Sequence, residues 1–166
     1  MSRILLVLAA AVAAAVAIVP SFASGAATTR QCAAADLSAR TFSTGGSGAG
    51  TIEFGVRLRN TSGSSCFMKG FTGLGLRNAS ELRMRGFAAF DRSRTPKRVA
   101  LGPGASAHFV VRYSDVAGAG DPNPCPTSSY LLVTPPNRRV PLEVRKRIAP
   151  CSKGRLLVTP VTKGKG

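Results

Sequence analysis

Apolar and polar side chains alternate along most of the chain after residue 36, with the period of two that is typical of half-buried β-strands. The clearest case is the segment 51–60, in which Glu53, Arg57 and Arg59 fall on one side of the predicted strand. The opposite side of that strand is apolar and consists of Ile52, Phe54, Val56 and Leu58. Similar patterns predict further strands at 37–42, 74–77, 81–85, 98–101, 109–113, 130–134, 140–144 and 155–161.

Turn-forming residues separate these predicted strands, and no segment after residue 25 has the period of a helix. The turn segments are rich in Gly, Pro, Asn and Ser and lie at 43–50, 102–104, 117–127 and 135–137. About eight short strands with such turns predict one all-β domain, a sandwich or a barrel, over residues 36–161. We expect a short lead-in at 26–35 and a flexible basic tail at 162–166.

The N-terminus has the three-part order of a secretory signal peptide. Arg3 supplies a positive start, sixteen apolar residues follow at 4–19, and small residues come after them. The order predicts a signal helix within residues 1–25, with cleavage after Ala23 or Gly25 and export by the general secretory route. The alternative is an uncleaved membrane anchor, but sixteen helical residues span only about 24 Å of the roughly 30 Å hydrocarbon core.

Four cysteines follow the predicted signal, and an even count in an oxidising compartment indicates two disulfides. Three pairings would satisfy them, and sequence alone does not choose among the three. We expect the sequential pairing, Cys32–Cys66 and Cys125–Cys151, because each bridge would then tie one half of the domain. No metal or other cofactor is expected, since the chain has no C-x-x-C pair and only one histidine.

The charge balance is extreme: 23 Lys and Arg residues stand against 7 Asp and Glu residues, for a formal net charge of +16. Two segments concentrate the positive charge, one at 77–98 and one at 138–155. Arg side chains grip phosphate or carboxylate two oxygens at a time, so these segments are candidate anion-binding regions. The candidate residues are Arg77, Arg83, Arg85, Arg92, Arg94, Lys97, Arg98, Arg138, Arg139, Arg145, Lys146 and Arg147. The alternative is a solvated cationic surface, without a dedicated ligand, that keeps the domain soluble.

Catalytic chemistry has little support in the residues. The sole histidine, His108, sits on the outward side of a predicted strand, and the seven carboxylates are scattered among arginines with which we expect them to pair. A dedicated nucleic-acid site would interleave aromatic and basic residues. Only Phe87 and Phe90 lie among the basic residues, and both fit predicted core positions. We therefore expect neither an enzyme nor a dedicated nucleic-acid site.

Several motifs occur in a recognisable order. Cys32 is followed by the block Asn-Thr-Ser-Gly-Ser-Ser-Cys-Phe-Met-Lys-Gly-Phe at 60–71, then by Leu-Gly-Pro-Gly-Ala-Ser-Ala at 101–107. Cys125, Val-Thr-Pro-Pro at 133–136, Cys151 and Leu-Leu-Val-Thr-Pro-Val at 156–161 complete the series. In this order the chain resembles a secreted bacterial family, domain of unknown function DUF4232. The resemblance implies an exported immunoglobulin-like β-sandwich of about seven to nine strands, and it carries over no catalytic residue.

These observations together predict a secreted or envelope-associated binding or structural module, monomeric and non-enzymatic. Its expected partners are anionic envelope polymers or lipid headgroups, and it would contact the membrane itself only if the N-terminal segment were left uncleaved. Two alternatives remain at this point. One is a secreted hydrolase with an unrecognised site, and the other is a membrane-tethered structural domain whose charge has no dedicated ligand.

Overall fold

The computed structural model describes residues 30–166 and shows an all-β fold. The predicted signal peptide and the first part of the lead-in therefore lie outside the described residues. Among residues 30–166, helical geometry is limited to two three-residue 3₁₀ turns, Ala34–Asp36 and Ser152–Gly154. No helix in this described part has the length and hydropathy needed to cross a membrane.

Twelve strands make up the domain and are numbered here in chain order. They are β1 (Leu37–Ser43), β2 (Thr51–Asn60), β3 (Cys66–Met68), β4 (Gly73–Arg77), β5 (Arg83–Met84), β6 (Phe87–Phe90), β7 (Val99–Leu101), β8 (Ser106–Ser114), β9 (Ser128–Thr134), β10 (Leu142–Ile148), β11 (Arg155–Val158) and β12 (Thr162–Lys163). Alternation of apolar and polar residues predicts nine of these strands. It misses β3, β6 and β12, which have two to four residues each.

The strands form two main sheets. The six-stranded sheet has the order β1-β2-β8-β11-β6, and β12 also pairs with β8. The four-stranded sheet has the order β10-β9-β4-β5, and a third, two-stranded sheet joins β3 to β7. Apolar side chains of both main sheets, among them Val56 and Phe109 from one and Leu76 and Leu131 from the other, belong to one buried cluster. The core therefore lies between the two sheets, in a sandwich-like arrangement.

Both predicted disulfides are present. Cys32 is bonded to Cys66 with 4.9 Å between their Cα atoms, and Cys125 is bonded to Cys151 with 5.4 Å. The described part of the chain contains no free cysteine. The first bridge holds the N-terminal segment against β3, and the second ties the β8–β9 loop to the segment before β11. Structural disulfides persist in oxidising compartments, so the two bridges indicate an extracytoplasmic location.

The motif that begins at Asn60 is a turn organised by one buried side chain. Asn60 is fully buried, and its amide nitrogen donates to the carbonyl oxygens of Ser64 at 2.8 Å and Leu101 at 3.0 Å. Its Oδ1 atom accepts a hydrogen bond from the backbone N–H of Ser62 at 3.0 Å. A buried amide has to be satisfied in this way, and here it fixes the loop that positions Cys66 for its disulfide.

Two expectations differ from the structure. Phe87 and Phe90 fit core positions in the sequence, but in the structure they are 48% and 42% exposed, because β6 is an edge strand of the six-stranded sheet. The phenyl ring of Phe90 instead stacks on that of Phe71, with 4.8 Å between ring centroids. The tail expected to be flexible is hydrogen-bonded: β12 pairs with β8, and Gly164 donates its N–H to the carbonyl of Ser106 at 3.0 Å.

Candidate anion-binding face

The outer face of the four-stranded sheet carries a row of basic residues. Strand pairing places Arg145 of β10 opposite Tyr130 of β9, Tyr130 opposite Arg77 of β4, and Arg77 opposite Arg83 of β5. Paired residues in a sheet point to the same face, and their immediate neighbours point to the other. The neighbouring register positions hold Leu131, Leu76 and other residues that pack in the core, so this row points away from it. We call these four residues the arginine row.

Two grooves extend the row with further arginines. A groove of about 170 Å³ is lined by Arg83 and Arg139, and a wider one of about 870 Å³ is lined by Tyr130, Arg145 and Arg147. The face therefore brings together residues that lie up to 70 positions apart in the sequence. We call the set Arg77, Arg83, Arg139, Arg145 and Arg147 the basic face.

Two glycines of β4 leave the middle of this face without projecting side chains. Gly73 and Gly75 occupy the outward positions of β4 next to the arginine row and line the smaller groove. Gly75 is paired with Leu132, whose side chain is 4% exposed although it faces away from the core. The absence of side chains at two adjacent outward positions leaves the guanidinium groups around them unobstructed.

Counter-charges are scarce on the basic face. The Nη1 atom of Arg77 lies 3.1 Å from the Glu143 carboxylate, which within residues 30–166 is the one carboxylate paired with a member of the basic face. Arg83, Arg139, Arg145 and Arg147 are exposed, and within residues 30–166 none of their side chains forms an ion pair or hydrogen bond with the protein. Their guanidinium groups are therefore free to bind an external anion.

Other predicted residues have internal roles instead. Arg138 donates from Nε to the carbonyl of Cys32 at 3.2 Å and from Nη2 to that of Gln31 at 2.5 Å, and so clamps the N-terminal segment. The ammonium of Lys146 lies 5.2 Å from the centroid of the Phe54 ring, at the edge of the core. These two side chains stabilise the fold, and they are poorly placed to join the basic face.

The remaining basic residues of the segment 77–98 lie at separate places. Arg94 pairs with Asp91 at 3.7 Å, and the guanidinium of Arg98 lies 3.6 Å from the centroid of the Phe67 ring. Arg94, Lys97 and Arg98 line a groove of about 330 Å³ together with Lys163. Arg92 is exposed in the same loop, and Arg85 lines a different groove beside the second disulfide. The first basic segment of the sequence is thus divided among three locations.

Tyr130 is a member of the site that sequence reasoning missed. The segment 130–134 is interpreted from sequence only as an apolar strand. The sequence signal is weak, because Leu131, Leu132 and Val133 form an unbroken apolar run; in the structure Leu131 and Val133 face the core, and Tyr130 and Thr134 are half-buried on the other face. The register that sets Tyr130 between two arginines depends on pairing with β4 and β10, and no local pattern reveals it.

Three carboxylates accept hydrogen bonds that lower their pKa. Backbone N–H donation from Ala33, followed by a hydrogen bond from Arg30, lowers the pKa of Asp36. A hydrogen bond from Arg112 lowers the pKa of Glu53, and backbone N–H groups of Lys153 and Gly118 lower that of Asp121. A general acid at neutral pH needs a raised pKa, so each of these carboxylates is tuned in the opposite direction.

His108 stands apart from the carboxylates. Its ring lies edge-on to that of Phe42, with 6.2 Å between centroids, and Nδ1 is 3.4 Å from the carbonyl oxygen of Gly164. No hydrogen bond or ion pair within residues 30–166 joins His108 to a carboxylate. The same described part contains no group of three or more His, Cys, Asp and Glu side chains that could hold a metal ion.

Comparisons with known proteins place the chain in a family. No curated protein matches the sequence, and no solved structure matches the fold. The family described as "Domain of unknown function (DUF4232)" matches residues 32–162, from the first cysteine of the disulfide framework to the start of β12. The match covers most of the chain, and the protein therefore belongs to the DUF4232 family.

Proposed function

We propose that the protein is an exported, non-enzymatic binding module that attaches to anionic polymers of the cell envelope through its basic face. The observation that carries the proposal is the arginine row with its two flanking grooves. Five arginines share this surface with one paired carboxylate, and four of the five have no partner in the described part of the protein.

Clustering matters more than total charge for such a function. A field spread evenly over a protein attracts anions weakly and is screened within about 8–10 Å at physiological salt. Several guanidinium groups on one face contact successive charges of the same polymer, and each contact releases a counterion. The arrangement therefore favours a polymer over a single small anion.

The remaining parts of the proposal concern fold and export. Two packed, largely antiparallel sheets with disulfide ties are consistent with the immunoglobulin-like sandwich that the family resemblance implies. The disulfides and the signal-like N-terminus favour export by the general secretory route. We propose a monomer that acts outside the cytoplasm, either released or retained at the envelope.

The proposal is tested with two variants of the oxidised protein that lose the same number of positive charges. The face variant is R83Q/R139Q/R145Q/R147Q. The control variant removes four exposed basic side chains that lie off the basic face, and it is R40Q/R92Q/R155Q/K165Q. Affinity for an immobilised polyanion, such as long-chain polyphosphate, is measured as a function of salt for the wild type and both variants.

Counterion release predicts that log affinity falls linearly with log salt for the wild type. The slope of the face variant should be smaller in magnitude by about three, because each of its four lost contacts contributes roughly 0.7 to 0.9 to the slope. The control variant should keep nearly the wild-type slope. Equal losses in the two variants would show that net charge, and no particular face, governs attraction. Retention on anionic vesicles, but on no polymer, would replace the envelope polymer with lipid headgroups.

A further inference from the structure

The wider groove beside the arginine row has a composition that charge alone does not explain. It encloses about 870 Å³ and opens to solvent. Besides its arginines and its tyrosine, the groove is lined by four side chains that carry hydroxyl or amide groups. They are Asn78, Ser80, Thr127 and Ser129.

These polar groups are available to a ligand. The Oδ1 atom of Asn78 accepts hydrogen bonds from the backbone N–H groups of Ser80 at 3.0 Å and Leu82 at 2.9 Å, which fixes the orientation of the amide. The amide NH₂ is then left to donate elsewhere. Within residues 30–166, the hydroxyl groups of Ser80, Thr127 and Ser129 form no hydrogen bond with the protein.

Tyr130 contributes an aromatic surface to the groove. It is half-buried and held between Arg145 and Arg77 by the strand register. A tyrosine presents a rigid apolar face together with a hydroxyl group, and it does so at a low cost in conformational entropy. Arg145 and Arg147 stand at the same groove without a carboxylate partner.

We propose that this groove is a subsite for a negatively charged sugar unit of a glycan, of the uronate type. The inference rests on the proposed function and narrows its ligand class. The sugar carboxylate would bind the guanidinium of Arg145 or Arg147 through paired hydrogen bonds. The sugar hydroxyls would exchange hydrogen bonds with the amide of Asn78 and with the nearby hydroxyl groups, and the C–H face of the ring would pack on Tyr130.

Other polyanions fit the groove less well. A simple phosphate polymer offers charge but no hydroxyl-bearing ring, so it would leave the Asn, Ser and Thr side chains and the Tyr130 face unused. A single nucleic-acid strand needs several aromatic platforms for its successive bases, and Tyr130 is the one aromatic residue that lines this groove within the described part of the chain. The acidic sugar would use the charged, the hydroxyl and amide, and the aromatic groups of the groove together.

The test compares four probes of matched length: oligogalacturonate, its neutral methyl ester, polyphosphate and a single-stranded oligonucleotide. The wild type should bind oligogalacturonate more tightly than the other three. Tyr130→Ala should weaken oligogalacturonate binding about three- to tenfold, with polyphosphate binding unchanged. Tyr130→Phe should retain most of the affinity, and Phe90→Ala, which removes an exposed aromatic ring elsewhere, should retain all of it.

A second variant tests the subsite independently, in case Tyr130→Ala does not fold. T127A/S129A removes two hydroxyl groups without touching the aromatic ring, and it should weaken oligogalacturonate binding by about three- to tenfold while sparing polyphosphate. Equal wild-type affinity for polyphosphate and oligogalacturonate, with no effect of Tyr130→Ala or of T127A/S129A, would overturn this inference and leave the proposed function standing. Binding of none of the charged probes would defeat both. Tighter binding of the oligonucleotide, lost in Tyr130→Ala, would replace the sugar subsite with a base-stacking site.

Discussion

More of the arginines on the outer face of the six-stranded sheet are bonded within the protein than on the basic face of the four-stranded sheet. On the six-stranded sheet, Arg57 donates from Nε to the carbonyl of Lys165 at 2.6 Å, Arg59 donates to that of Gly104 at 3.2 Å, and Arg112 pairs with Glu53. The exposed side chains of Arg40 and Arg155 form no such bond within residues 30–166. On the four-stranded sheet, four of the five arginines of the basic face have no such partner in the same described residues. An arginine-rich composition therefore does not by itself indicate a binding surface. A binding surface is indicated instead by several guanidinium groups that lie on one face and have no partner within the described part of the protein.

The two faces also differ in how they are covered. The ring of Phe42 lies over Gly55 of β2, and the tail residues Gly164 and Lys165 cross the same surface. On the four-stranded sheet, a Cβ atom added at the outward Gly75 would have the Leu132 side chain as its nearest neighbour, at the van der Waals distance of 3.5 Å. The tail crosses the outer face of the six-stranded sheet, whereas two grooves open on the four-stranded sheet.

The largest expected effect on the free energy of unfolding comes from a glycine substitution on the six-stranded sheet, with a matched substitution on the four-stranded sheet as its control. A Cβ atom at Gly55 would overlap the ring of Phe42, whereas one at Gly75 would lie 3.5 Å from the Leu132 side chain, an ordinary contact. We expect Gly55→Ala to lower the free energy of unfolding by about 2 kcal/mol. Gly75→Ala should leave it unchanged or raise it by up to about 1 kcal/mol, because alanine is favoured over glycine within strands. Equilibrium unfolding in denaturant measures both, and equal costs would mean that the two faces are equally covered.

Truncation after Lys163 should have an intermediate effect. It removes the carbonyl of Lys165 that accepts from Arg57 and the N–H of Gly164 that donates to Ser106. Two such hydrogen bonds are worth about 1–2 kcal/mol in total. The same denaturant measurement checks the loss. A truncated protein with unchanged stability would show that the tail is the flexible extension expected from sequence.

The smallest effect concerns the Arg112–Glu53 pair and depends on pH. Arg112→Gln should lower the free energy of unfolding at neutral pH by up to about 1 kcal/mol, the usual value for a partly exposed ion pair. The hydrogen bond from Arg112 holds the pKa of Glu53 below its ordinary value of 4.5. The stabilisation is therefore complete above pH 4.5 and is lost as pH falls through the lowered pKa.

The free energy of unfolding of the wild type and of Arg112→Gln is measured from pH 7 down to pH 3. The difference between wild type and Arg112→Gln should shrink as Glu53 becomes protonated. The matched substitution on the basic face, Arg145→Gln, should change stability by less than about 0.5 kcal/mol at every pH, because Arg145 has no internal partner. A destabilisation by Arg145→Gln as large as that by Arg112→Gln would erase the distinction between the two faces.

Local patterns predicted the strands and the disulfides well. The bounds of β2 match the segment 51–60 because ten residues supply several periods of alternation. The sequential pairing of the cysteines, Cys32–Cys66 and Cys125–Cys151, is the pairing that the structure contains. His108 is also on the outward side of its strand, as its neighbours Ala107 and Phe109, both fully buried, indicate.

Features that depend on pairing between strands far apart in the sequence could not be predicted from local patterns. Basic residues that are close in the sequence do not all lie together on the surface. The β9–β4 and β4–β5 registers bring Arg77 and Arg83 to the same face as Arg145. Arg94 and Arg98, from the same sequence segment as Arg77 and Arg83, line a separate groove. The exposure of Phe87 follows from the edge position of β6, which depends on its parallel pairing with β11. Neither arrangement is encoded within a short window of residues.

Nuclear magnetic resonance of the oxidised, ¹⁵N-labelled protein can locate the binding face, because it reports which groups a polyanion contacts. On titration with the polymer, we expect the largest shifts on the Nε–H signals of Arg83, Arg139, Arg145 and Arg147 and on the backbone amides of β4, β5, β9 and β10. The Nε–H signals of Arg57 and Arg112 should stay in place, since those groups are already bonded within the protein. Shifts centred on β1, β2 and β8, or on the groove of Arg94 and Lys163, would contradict the assignment of the binding face.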